Sequence, residues 1–160
     1  METLLNEHEE ERNPSRLFHQ AIWFFTHSAL ALGSWITLML LGYAFNPQGV
    51  SQFLILFFSM LIPSLAGYAF TRSHQDEMAS LVWLVGLILM LIISLWILDM
   101  PTGPNACFQC DATEKLTRTF FSLPRPSGLI DDDGPFLGTW PAAALVGYSI
   151  GARLALKRKN

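Results

Sequence analysis

Charge is what this sequence has least of. Only 14% of its 160 residues are Asp, Glu, Lys or Arg, against about 25% in soluble domains, which leaves too little polar material to cover a water-exposed globule. Between Arg16 and Arg72 there is no formal charge at all. Basic residues are also few, 10 against 13 acidic for a net charge of -3. They form no stripe interleaved with aromatics of the kind that neutralises phosphates, which argues against nucleic acid as a partner. A glycine-rich phosphate loop is missing too. Cysteine is confined to Cys107 and Cys110, too few for a zinc site, and no His lies near them to complete one.

What the chain has in quantity is apolar length. Hydrophobic residues make up 51% and the mean hydropathy is +0.35. A helix needs about 20 apolar residues to cross a hydrocarbon core about 30 Å thick, and four windows meet or approach that: 21–45, 50–70, 78–98 and 136–156. The last is the most Ala- and Gly-rich, and it needs Arg153 to snorkel. Trp140-Pro141 reads as its interfacial anchor and first-turn proline. The expected fold is therefore all-α: a bundle of four transmembrane helices, with a short interfacial amphipathic helix in the loop between the third and fourth.

Flanking charge sets the expected orientation. Arg12, Arg16, Arg72, Arg153, Lys157, Arg158 and Lys159 fall on one side, while Lys115, Arg118 and Arg125 are spread through the loop 99–135. The positive-inside rule then makes both termini cytoplasmic and that loop exoplasmic, in a bacterial inner membrane or a plasma membrane. Residues 1–20, with Glu2, Glu7, Glu9, Glu10 and Glu11, read as a flexible acidic tail rather than a cleaved signal, and 157–160 as a basic tail.

Helices associate in lipid through small residues four apart. The fourth window carries Ala143, Gly147, Gly151 and Ala155, including a GxxxG match, and the first carries a shorter version in Ala29 and Gly33. These are the expected packing positions, serving the chain's own bundle, a second copy or another integral subunit. The third window, built of Leu, Ile, Val and Met, is the best candidate for a lipid-facing helix. Pro63 is expected to kink the second.

His27, between Thr26 and Ser28, is the one ionisable group deep in a span, and such groups are costly enough to mark pathways or cofactors. Its simplest role is a hydrogen bond to a neighbouring helix. Haem ligation or proton relay is the sharper alternative, with His74 at the wrong depth to serve as the facing ligand. No buried carboxylate or intramembrane Lys or Arg is evident to couple transport.

The loop 99–135 holds the remaining chemistry. Cys107 and Cys110, on an oxidising face, are expected to form a structural disulfide. The same Cys-x-x-Cys spacing fits a thiol oxidoreductase with a quinone or a thiol protein as partner, although Asp111 beside Cys110 opposes thiol ionisation. Asp111 reads as an N-cap with Glu114 three residues on. It opens a helix whose apolar face, Leu116, Phe120, Phe121 and Leu123, is suited to the outer interface. Asp131, Asp132 and Asp133 read as a solvated turn, since the spacing of a calcium loop is absent. The expected function is a non-catalytic accessory, assembly or interaction subunit of a membrane complex. Its partners would be lipid and other integral subunits or itself, and no cofactor is expected. Quinone or haem enters only under the alternatives of a thiol oxidoreductase or a b-type cytochrome, and an immunity-type membrane protein also fits the size.

Overall fold

The computed structural model describes residues 14–45, 52–99, 111–121 and 139–158. All the described elements are helical: α1 (Pro14–Phe45), α2 (Gln52–His74), a 3₁₀ turn (Glu77–Leu81), α3 (Trp83–Asp99), α4 (Ala112–Phe121) and α5 (Thr139–Lys157). Three stretches, Ser15–Gly42, Phe53–His74 and Glu77–Asp99, are long and apolar enough to cross a membrane. Their exposed surfaces are rows of Leu, Ile and Phe, among them Phe25, Leu40, Phe57, Leu65, Leu87, Leu91 and Leu95. An outward-facing apolar surface of this extent marks a membrane or partner interface rather than a water-exposed one and is consistent with an integral membrane protein.

The long helices alternate in direction, so α2 and α5 run the same way. They are nevertheless the closest pair. Glycine explains it. A Cβ added at Gly147 would overlap the backbone carbonyl of Met60, one at Gly151 that of Ser64, and one at Gly67 that of Tyr148. With hydrogen in place of a side chain on both helices, backbone meets backbone. Helix α5 thereby becomes the hub, with Ala142, Ala144, Leu145, Gly147, Tyr148, Ser149, Gly151, Ala152 and Ala155 all buried. Helix α1 leans on α2 and α5, while α3 packs mainly on α5. Ala31, Ala79, Val82, Leu145, Tyr148 and Ala152 form the central cluster. Hub position also explains the composition of α5: most of its surface meets protein, with Val146, Ile150 and Leu154 left exposed, so it needs smallness more than greasiness, and it is absent from the three membrane-length apolar stretches.

Several sequence expectations need correction. Residues 14–20, assigned above to the flexible tail, are the first turns of α1, and Lys157, assigned to the basic tail, ends α5. The third window is not one α-helix. Its first turn is 3₁₀, capped by Asp76, whose Oδ1 accepts from the Met78 amide at 2.9 Å. The change of winding diverts the Trp83 amide, which donates to Ser149 Oγ on α5 at 2.8 Å. At about 2.0 Å rise per residue against 1.5 Å, the 3₁₀ turn also lengthens a span whose α-helical part is only 17 residues. Trp140 is not an interfacial anchor: it is buried in a cluster with Trp35 and Ala144, while Pro141 stands in the first turn of α5, as expected.

Helix α4 starts where Asp111 caps it, Oδ1 accepting from the Glu114 amide at 2.7 Å. Its apolar side is not all given to lipid. Phe120 is 6% exposed, packed with Ile93, Ile97 and the partly buried Leu116 against the end of α3, whereas Phe121 is 72% exposed. Thr139 Oγ1 donates to the Phe120 carbonyl at 2.6 Å and joins the end of α4 to the start of α5. Leu123, Cys107, Cys110 and the three consecutive aspartates lie outside the described residues.

The chain reverses between α2 and the 3₁₀ turn at Gln75, whose φ of 51° is left-handed, while its amide closes the end of α2 on the Thr71 carbonyl at 2.8 Å. That conformation costs a non-glycine residue about 1–2 kcal/mol. Three outcomes are expected from thermal unfolding of the purified chain in detergent. Gln75→Gly is neutral or stabilising by up to about 1 kcal/mol. Gly151→Leu forces α2 and α5 apart and costs upward of about 3 kcal/mol, whereas Gly33→Ala, with nothing within 4 Å of its added Cβ, is tolerated.

Candidate functional site

One group of polar and aromatic side chains gathers between the helices around His27. Helix α1 presents His19, Trp23 and His27 at successive i+4 positions on one face. The end of α2 contributes Phe70 and His74, α5 contributes Tyr148, and the turn after α2 brings in Asp76. His27 is fully buried, with its Nδ1 2.8 Å from the Tyr148 hydroxyl and its Nε2 3.7 Å from Asp76 Oδ2. Aromatic rings enclose it: Phe70 edge-on at 5.3 Å between centroids, Tyr148 at 5.8 Å and Trp23 at 5.9 Å. His74 stacks on Phe70 at 4.5 Å and meets Trp23 at 5.7 Å. Trp23 in turn donates from Nε1 to His19 Nε2 at 2.9 Å.

The geometry selects a tautomer. If Nδ1 carried the proton, the bare lone pair of Nε2 would face the Asp76 carboxylate. With the proton on Nε2, Tyr148 donates its hydroxyl hydrogen to Nδ1 and the Nε2 hydrogen points at Asp76 Oδ2. Both Nε2 and Oδ2 are buried without a hydrogen-bond partner; at 3.7 Å they face each other electrostatically rather than through a formed hydrogen bond. Asp76 thus serves twice, capping the 3₁₀ turn with Oδ1 and facing His27 with Oδ2. The arrangement is a row, carboxylate to imidazole to phenol, which links three elements. An iron bound at His27 would have to displace Tyr148 or Asp76. His74 lies among the same rings, closer than its sequence position suggested, yet Phe70 is stacked against it.

Asp76 is the residue that sequence reading missed, since it stood in a hydrophilic turn and no spacing connects it to His27. Its one legible signal was local: an Asp before Glu77 is a good N-cap, and a cap carboxylate at a span's end lies beside whatever the adjacent helix presents there.

Small residues on α1 behave differently from those on α5. Gly147 and Gly151 are covered by α2, but Ala29 and Gly33 are exposed. They line a groove of about 310 Å³ with Leu30, Ser34, Ala66, Phe70 and Tyr148, between α1 and α2 and next to the His27 row. Of the other stripe residues, Ala155 is buried and Ala143 is half-buried. Among the described residues no group of three or more His, Cys, Asp or Glu is placed to hold a metal. Comparison with known proteins returns nothing: no family model, no curated protein and no solved structure matches this chain.

The row is testable as a unit. Tyr148→Phe leaves Nδ1 of His27 without a partner in a buried site and is expected to cost about 1–3 kcal/mol. His27→Ala and Tyr148→Phe combined should cost less than their sum, with a coupling of at least about 0.5 kcal/mol in a double-mutant cycle. Strict additivity in detergent unfolding would show that the two side chains do not act together.

Proposed function

We propose that this chain is a non-catalytic interaction subunit of a membrane complex. In this reading it has four spans, α5 being the fourth, both termini cytoplasmic, and the loop 99–135 with its α4 helix exoplasmic. An even number of spans agrees with Arg72, Arg153 and Lys157 lying towards one end of the bundle, and with α4 at the other. The observation that carries the reading is the open groove at Ala29 and Gly33. Small residues in lipid favour close helix approach, and here the chain's own helices leave them uncovered. Next to the groove, the His27–Tyr148 bond joins α1 to α5. Its proposed occupant is a membrane-spanning helix of another integral subunit.

Crosslinking followed by purification in mild detergent tests this. Ala29→Leu with Gly33→Leu fills the groove and is expected to abolish co-purification of integral partners. Leu91→Ala, on the lipid-facing side of α3, should preserve it. A wild-type chain that runs alone and reproducibly retains no partner defeats the proposal.

Under the same reading Cys107 and Cys110 form a structural disulfide in the outer loop. Maleimide trapping in cells, with and without a reducing challenge, is expected to find the pair oxidised throughout. A pair that cycles would favour the thiol oxidoreductase instead.

A further inference from the structure

At the end of the bundle where α2 stops and α5 ends lies a cleft of about 800 Å³, distinct from the groove on α1. Its lining includes Tyr68, Thr71 and Arg72 of α2, Glu77 and Ser80 of the 3₁₀ turn, and Arg158 just past α5. Arg158 Nη1 donates to the Tyr68 hydroxyl at 3.2 Å, which draws the guanidinium over the cleft. Thr71 is 1% exposed, and its Oγ1 has no hydrogen-bond partner. Ser59 of the same helix, also fully buried, shares this lack, although a helical hydroxyl can bond the carbonyl one turn back. Thr26, Ser28 and Thr37 of α1 all do so. Two guanidinium groups against the one carboxylate of Glu77 leave the cleft with a formal charge of +1.

Below this polar head runs an apolar valley. On α2, Leu61, Leu65, Tyr68 and Arg72 stand at intervals of four, three and four, one face of a helix. On α5, Ile150, Leu154 and Arg158 stand four apart. The two stripes flank the glycine contact on the same side, because α2 and α5 run in the same direction and Gly147 and Gly151 fix which faces meet. Leu61, Leu65, Ile150 and Leu154 are all exposed. A valley of branched apolar side chains ending under two arginines matches a ligand with a greasy tail and a singly negative head.

The geometry points to a bound anionic phospholipid, its phosphodiester between Arg72 and Arg158 and an acyl chain along Leu61, Leu65, Ile150 and Leu154. Guanidinium pairs suit phosphate oxygens because the planar fork offers parallel N–H donors. The Tyr68 and Ser80 hydroxyls, which also line the cleft, supply further hydrogen bonds. Zwitterionic lipid fits less well, since its choline cation would add to the positive charge already present.

The full-length chain in mild detergent is titrated with dioleoyl phosphatidylglycerol or dioleoyl phosphatidylcholine and read by native mass spectrometry and thermal shift. Expected is a preference for the glycerol lipid of about tenfold, of the order that charge-assisted hydrogen bonds provide. Arg72→Ala with Arg158→Ala should bring the two lipids level, while Arg153→Ala, on another face of α5, leaves the preference intact. Equal binding of both lipids by the wild type overturns the proposal, as does a preference that survives the double substitution. Glycerol 3-phosphate or inorganic phosphate alone giving the full thermal shift would identify a soluble anion and overturn the lipid assignment. If the double variant does not fold, the wild-type selectivity decides, together with its expected loss as salt rises.

Discussion

The bundle depends on two helix backbones meeting without side chains between them. Lipid tails are as apolar as leucine, so no hydrophobic force draws spans together, and association rests on how closely atoms pack. Gly67, Gly147 and Gly151 let α2 and α5 approach until carbonyl oxygens occupy the space where a Cβ would stand. Everything else is arranged on that pair: α1 across α2 and α5, α3 on α5, and α4 on the end of α3. The contact also fixes the rotation of α5, and so decides that Tyr148 faces His27 and that Ser149 meets the Trp83 amide.

A second layer of structure is polar and sparse. Asp76, His27 and Tyr148 link the turn, α1 and α5 in one row, and Thr139 links α4 to α5. In a low-dielectric interior such bonds are strong and their absence is costly, so a few of them specify the register of helices that dispersion alone would leave free to slide. The bonds lie towards opposite ends of the bundle. Between them are the apolar clusters around Leu145 and Tyr148 and around Trp35 and Trp140, and on the outer side of α1 the groove at Ala29 and Gly33.

Much of this was legible in the chain. Long uncharged apolar runs announce membrane helices whatever their neighbours, and Asp111 announced the start of α4 because a cap acts within three residues. Other features depended on placement. The stripes at Ala29 and Gly33 and at Gly147 and Gly151 look alike in sequence, yet one is exposed and the other is pressed against Met60 and Ser64. Nothing local separates them, since the difference lies in which helix arrives opposite. Phe120 and Phe121 are adjacent and chemically the same, but α3 covers only the first.

The sequence by itself determined that the chain is helical and that three stretches are built for lipid, because hydropathy and helical rise are properties of each segment alone. Which helix stands at the centre, which carboxylate faces His27, and where two arginines gather above an apolar valley were decided only by the tertiary structure. Those are pairings between residues tens of positions apart, set by the glycine-mediated approach of α2 and α5, and no periodicity within either helix encodes its partner.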